Sequence, residues 1–316
     1  MDIIFEIAKR NNEYVDIYAE VPFTKGGYFQ LTKGGLLGDY QVSNPKEFLS
    51  KTISFLWTCF DKTICKYKNV RFHYVDIRQD ARSPDVIDGA ATPFLFIFNV
   101  HQKEIKTKEE QEFLDFIVKN LPTRFIYTYI FSENYEKDSK KLAKELDAKY
   151  RKQYGSGNDF LDVFNKILSY RTVKKNGKTF TRVGSQLFML RTQVRETKGE
   201  KRTIMYNMYD KLEEYIQDKT DKYQKFLQYE QNVVVNVLFI LDVFIMDIYT
   251  LARMFRTFPG TGHVESKIVI EYAGDSHIQN TLEFFRDYLD VNIKTYKQTD
   301  KRCTKFKIAD LINLNI

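Results

Sequence analysis

Apolar positions alternate with polar ones in short runs at both ends of the chain, and recur every three or four residues through its middle. Tyr14-Val15-Asp16-Ile17-Tyr18-Ala19-Glu20 reads as a strand stopped by Val21-Pro22, because the residue before proline is pushed out of helical geometry. Val70 to Arg78 reads as a second strand, and Lys267 to Ala273 as a third, followed by Gly274-Asp275-Ser276-His277 and a helix from Ile278 to Leu289. Residues 2–10 have helical spacing, as does the stretch from Pro45 to Cys59, where Asn44 suits the cap position before a first-turn proline. Phe94 to Val100 is short and apolar, so strand and buried helix stay open there. Extended segments are expected near 291–296 and 305–311.

Between these ends, residues 108–232 are rich in Lys, Glu, Gln and Tyr. The spacing predicts helices near 109–119, 134–152, 158–169, 186–197 and 203–230, with breaks at Gly155-Ser156-Gly157 and Lys175-Asn176-Gly177-Lys178. Val233 to Arg256 reads as a buried helix. A strand, a glycine turn and a helix in that order mark a parallel βα unit. The expected architecture is an α/β fold: a mainly parallel sheet with flanking helices, built from residues 1–107 and 233–316, with 108–232 as a large helical insertion.

Composition sharpens this picture in three places. A 43% hydrophobic and 15% aromatic content supplies the apolar area that a folded core needs. The net charge of +7 arises from 49 basic and 42 acidic residues that interleave closely, as in Glu136-Lys137-Asp138-Ser139-Lys140-Lys141; this is the pattern of solvated helix faces, and argues against a nucleic-acid partner. Three cysteines, Cys59, Cys65 and Cys303, include no Cys-x-x-Cys pair, which argues against a disulfide framework or zinc ribbon and for a reducing, intracellular compartment. The most apolar stretch, 233–255, is interrupted by Asn236, Asp242, Asp247 and Arg253 well short of the ~18 clean residues of a membrane span. Acids near Met1 likewise stand where a secretory signal would be basic.

Candidate chemistry gathers where strands end. A strand running into Gly-Asp-x-His before a helix puts Asp275 and His277 at the carboxyl edge of a sheet, where open α/β folds bind ligands. Asp275 and His277, with Glu20 at the end of the first strand, could bind a divalent metal or share a proton; the alternative is a helix cap and a strand-end acid. Asp76 and Arg78 share a strand face, as an anion clamp or a structural pair, whereas His73 points the other way and reads as a core histidine. On the 233–256 helix, Asp242, Tyr249, Arg253 and Arg256 fall within about 60° of one another at 100° per residue, while Asn236 and Asp247 form a separate face. The substrate-holding candidates are therefore Arg78, Asp76, Arg253 and Asp242. The glycine-lysine repeat at 24–27 and 32–35 lacks Walker spacing and reads as a loop or hairpin.

Tyr272-Ala273-Gly274-Asp275-Ser276-His277, together with Met246 to Phe255, Val15 to Glu20 and Phe72 to Arg78, resembles an uncharacterised protein family of large nucleocytoplasmic DNA viruses. More remotely, a strand ending in Gly-x-x-His is similar to the last motif of the erythromycin-esterase, ChaN-like and TraB/TIKI group. That resemblance implies an α/β core used for hydrolysis, metal or haem binding, and the resemblance to the viral family implies a place in host cytoplasm or virion. The group's early Gly-Glu-x-His motif has no counterpart here, as would follow from a longer gene product or from loss of catalysis. Two functions are expected: metal-assisted hydrolysis with Glu20, Asp275 and His277, acting on an unidentified small molecule, or a non-catalytic virion or virus-factory protein that binds other proteins.

Overall fold

A computed structural model describes residues 9–11, 13–22, 30–31, 37–38, 67–77, 108–155, 160–170, 172–229, 234–258 and 266–293. Within them, β1 (Tyr14–Pro22), β2 (Val70–Asp76) and the last strand (Ser266–Tyr272) form one parallel sheet with β1 in the middle. The three strands expected to share a sheet do so. Register pairs Ile17 with both Phe72 and Ile270, and Tyr18 with both His73 and Glu271. The two faces of the sheet consequently differ. Val15, Ile17 and Ala19 lie on one and are fully buried, while Asp16, Tyr18 and Glu20 share the other with Arg71, His73 and Glu271.

Among the described residues, six helices follow β2 between residues 108 and 229. They are α1 (Lys108–Asn120), α2 (Pro122–Phe131), α3 (Tyr135–Tyr154), α4 (Leu161–Ile167), α5 (Arg182–Glu196) and α6 (Glu200–Tyr229). Between α4 and α5 lies a hairpin, β3 (Thr172–Lys175) and β4 (Lys178–Thr181). The sequence reading marks only a break there. The structure makes it a two-residue turn with Asn176 and Gly177 both at positive φ, 50° and 74°, the geometry whose twist suits a hairpin. Helix α2 was not expected either; Pro122 opens it at the first helical position, where a missing N–H costs nothing.

Helix α3 shows how the helical region holds together. Tyr135, Leu142, Ala143, Leu146 and Tyr150 recur at helical spacing and are buried, while Glu136 and Asp138 near its start and Arg151 and Lys152 near its end oppose the macrodipole. Thr181 caps α5 by accepting from the Gly184 N–H at 3.0 Å, and donates its own hydroxyl to the Tyr129 carbonyl at 2.6 Å. Gly184 permits that approach, since a Cβ there would stand 2.9 Å from the Ile130 carbonyl oxygen.

The chain then enters α7 (Val234–Met254), the sheet strand β5 (Ser266–Tyr272) and α8 (Asp275–Glu283), which continues as a π turn over Phe284–Tyr288. One apolar core runs through all of this, joining Tyr18, Val75 and Ile77 of the sheet end to α1, α2, α3, α5, α6, α7 and Phe284. Among the described residues, no helix is long and apolar enough to cross a membrane. The expected helix over 45–59, the segment 94–100, the extended stretch 305–311 and all three cysteines lie outside the described residues. So does the 24–35 loop, apart from the short pairing of Gln30–Leu31 with Leu37–Gly38.

Candidate functional site

Both ends of the polar face of the sheet carry a histidine held by an aspartate. Toward the start of the strands, Arg71 donates to Asp16 through Nε and a terminal nitrogen, at 2.5 and 2.7 Å. His73 Nε2 lies 3.1 Å from the same carboxylate, and Arg253 donates to His73 Nδ1 at 2.8 Å. A guanidinium donating to Nδ1 leaves Nε2 as the protonated nitrogen, so His73 is a neutral imidazole that donates to Asp16. Burial pushes His73 down to about 4, and the nearby Arg253 charge adds to this. Burial works against the Asp16 carboxylate, but hydrogen bonds from His73 and Arg71 outweigh it and hold the group below its usual range. Tyr18 stacks on His73 at 4.6 Å between ring centres, and Phe258 packs on it at 4.8 Å.

At the carboxyl end, β1 delivers Glu20, β5 delivers Glu271, α7 delivers Asp247 and the first turn of α8 delivers His277. His277 Nδ1 is 2.5 Å from Asp247 Oδ1, and its Nε2 is 3.6 Å from Glu20 Oε1. Asn280 donates to the other Asp247 oxygen at 2.6 Å, and the Gly274 N–H donates to Glu20 at 2.8 Å. The glycine matters for space: a Cβ at 274 would sit 3.3 Å from the Glu20 carboxylate. Asp247 and His277 are buried, whereas the Glu20 side chain keeps a fifth of its surface exposed. Burial lowers the proton affinity of His277, but Asp247 and Glu20 on either side overcome that and lift it to about 9. Burial raises Asp247 to about 6, against the pull of His277. Between those values the two form an ion pair. Glu271, also raised by burial, to about 7, accepts from the Thr281 hydroxyl at 3.2 Å.

Of the residues singled out from sequence, Glu20 and His277 thus come together. Asp275 does not join them: it is exposed at the start of α8, Gly274 takes the cap position, and no hydrogen bond or ion pair links its carboxylate to His277. Asp247, assigned to a different helix face, takes the place expected of Asp275. Arg253 belongs to the His73 cluster, where it also donates to the Tyr249 hydroxyl at 3.3 Å. Asp76 ends β2 opposite Pro22. Arg78 lies outside the described residues, as do the side chains of Asp76 and Asp242.

A divalent ion needs donors that converge on one point. Here Glu20 and Asp247 face opposite nitrogens of one imidazole. Among the described residues, no group of three or more His, Cys, Asp or Glu is arranged to hold a metal.

The class that fold and site define is a mixed α/β protein with a small parallel sheet, whose carboxyl edge gathers ionisable side chains. No family model matches the chain, and no curated protein or solved structure matches it either.

Proposed function

We propose that the protein is a hydrolase-like enzyme whose proton chemistry runs through Glu20, His277 and Asp247. The observation that carries this reading is the imidazole held between two carboxylates at the carboxyl edge of a parallel sheet, with Glu20 alone of the three partly open to solvent. Asp247 fixes the ring by its Nδ1–H, which leaves the Nε2–H facing Glu20. In the proposed step, Glu20 takes a proton from a water molecule as the water oxygen bonds to the substrate's electrophilic atom. The bond to the leaving group breaks, and that group takes the proton of His277 Nε2. Transfer from Glu20 to His277 across the 3.6 Å gap restores the starting state.

A second reading rests on the depth of Asp247 and His277, which join α7 to α8 while Glu20 and Gly274 join β1 to the turn after β5. The cluster is then a structural tie with no catalysis, and the protein serves as a binding partner for other proteins. Hydrolysis of p-nitrophenyl acetate and p-nitrophenyl phosphate separates the two, assayed with the wild type, Glu20→Gln and His277→Gln beside their melting temperatures. The enzyme reading expects each variant to lose about a hundredfold or more in rate, the usual scale of acid–base catalysis, with Glu20→Gln still folded. It also expects activity to fall as pH rises through about 9, where His277 gives up its proton. Wild-type rates no higher than those of the two variants would leave the structural tie.

A further inference from the structure

Away from the carboxyl edge, the end of α7 and the residues just after it supply a concentration of positive charge that exceeds the acid paired with it among the described residues. Arg71, Arg253 and Arg256 surround the Phe258 ring, their guanidinium carbons 5.7, 5.0 and 4.8 Å from its centre. Asp16 answers Arg71 and, through His73, Arg253. Arg256 has no such answer: it is only 9% exposed, and its hydrogen bonds go to the uncharged Gln186 amide oxygen and the Met189 sulfur. No carboxylate among the described residues pairs with it. Burial and the neighbouring Arg253 charge pull its proton affinity down to about 10. A guanidinium taken out of water without a counterion carries a desolvation cost that folding alone does not recover.

Arg256 lines a cavity of about 420 Å³ between the β3–β4 hairpin and α5. Among the described residues, the same cavity is lined by Lys175 of the hairpin, Lys201 of α6 and the carboxylate of Glu196. Lys175 is also drawn down, first by burial and then by Arg256. Neutral donors complete the lining, among them Thr192 and Asn176. This is a concave site with surplus positive charge and polar groups that can fix an orientation.

We propose that this cavity binds a small phosphate-bearing anion, with Arg256 and Lys175 as its principal contacts. A phosphate answers the charges of Arg256 and Lys175, and a planar guanidinium presents paired N–H donors to its oxygens. The site is independent of Glu20 and His277.

Thermal melting and calorimetric titration with inorganic phosphate and pyrophosphate test it, against acetate and chloride at matched ionic strength. Phosphate or pyrophosphate is expected to raise the melting temperature beyond either control. Arg256→Gln should weaken the titrated affinity about tenfold or more, and Lys175→Gln by a smaller factor, as loss of one charge-assisted contact would. Arg286→Gln, at an exposed position paired with Asp287, should leave it unchanged. If Arg256→Gln does not fold, Lys175→Gln decides alone. Phosphate and pyrophosphate acting no differently from chloride, acetate acting as well as phosphate, or cavity variants that bind like the wild type would each overturn the proposal.

Discussion

His73 and His277 lie on the same side of one small sheet, each within hydrogen-bond distance of an aspartate, yet they hold opposite charge states at neutral pH. His73 stands between one carboxylate already claimed by Arg71 and a second guanidinium, so a proton added to its ring would face two cations. His277 stands between Asp247 and Glu20 and, among the described residues, pairs with no cation. Residue type and burial are nearly equal, with the two at 6% and 5% exposure. Their neighbours decide the rest. The upstream cluster is closed, with each hydrogen-bonding nitrogen of His73 committed. The downstream one ends in a partly exposed carboxylate at a longer separation, which is where a substrate could intervene.

The widest test of that difference is to remove one acid from each end. Asp16→Asn leaves Arg71 buried without its counterion, and breaking such a pair typically costs about 3–5 kcal/mol. Urea unfolding should show a loss of that size. A loss below about 1 kcal/mol would mean that the Asp16 pair is far better solvated than its 2% exposure implies.

The pH dependence of stability should differ in sign between the two histidines. The folded state holds His73 at about 4, below the ~6.5 of an unfolded histidine, so the unfolded chain binds the extra proton first. Stability from His73 is therefore present above pH ~6.5 and lost as pH falls toward 4, by about 3 kcal/mol at most. His277 is raised to about 9, so its contribution is present below ~6.5 and lost as pH rises through 9. Because Glu20, one of its two partners, is partly exposed and screened by solvent, this loss should be nearer ~1–2 kcal/mol. Unfolding curves of His73→Gln and His277→Gln, compared with the wild type from pH 4 to 10, should remove the acid and alkaline limbs respectively. Parallel curves for all three proteins would show that both histidines keep one charge state on unfolding.

How much of this was legible in the sequence follows from the range of each interaction. The three sheet strands could be read locally, since alternation and stop signals lie within a few residues, and their termini brought Glu20 and His277 forward. Asp247 could be read as a separate helix face, but a helical wheel does not say which face meets which neighbour; its partner is thirty residues away on α8. The Asp16–Arg71 pair spans 55 residues and depends on the register of two parallel strands, which alternation alone leaves open. His73 was correctly expected to be buried, but its polar partners could not be anticipated. The hairpin at Asn176-Gly177 did carry a local signal, and was missed because its strands are only four residues each amid helical spacing. Asp275 drew attention through its position in the motif, although a first-turn side chain can point to solvent as readily as to a site.

The smallest expected change is the most discriminating, and concerns Glu20→Gln. Its carboxylate accepts a hydrogen bond from the Gly274 N–H at 2.8 Å and lies 3.6 Å from His277. The amide oxygen of glutamine can still accept from Gly274, so the backbone donor stays satisfied. What disappears is one of the carboxylates around His277. Because the Glu20 side chain is partly exposed, stability should drop by less than about 1 kcal/mol, the usual scale of a solvent-screened pair. The proton affinity of His277 should nevertheless fall from about 9 toward the ordinary histidine value, since Asp247 alone then opposes burial. Nuclear magnetic resonance of the imidazole nitrogens across pH 5 to 10 measures this directly in both proteins. A midpoint unchanged by the substitution would show that Asp247 governs His277 by itself, and that Glu20 has no part in a shared proton site. A large loss of stability instead would place Glu20 with Asp16, as a buried structural acid, and erase the distinction between the two ends of the sheet.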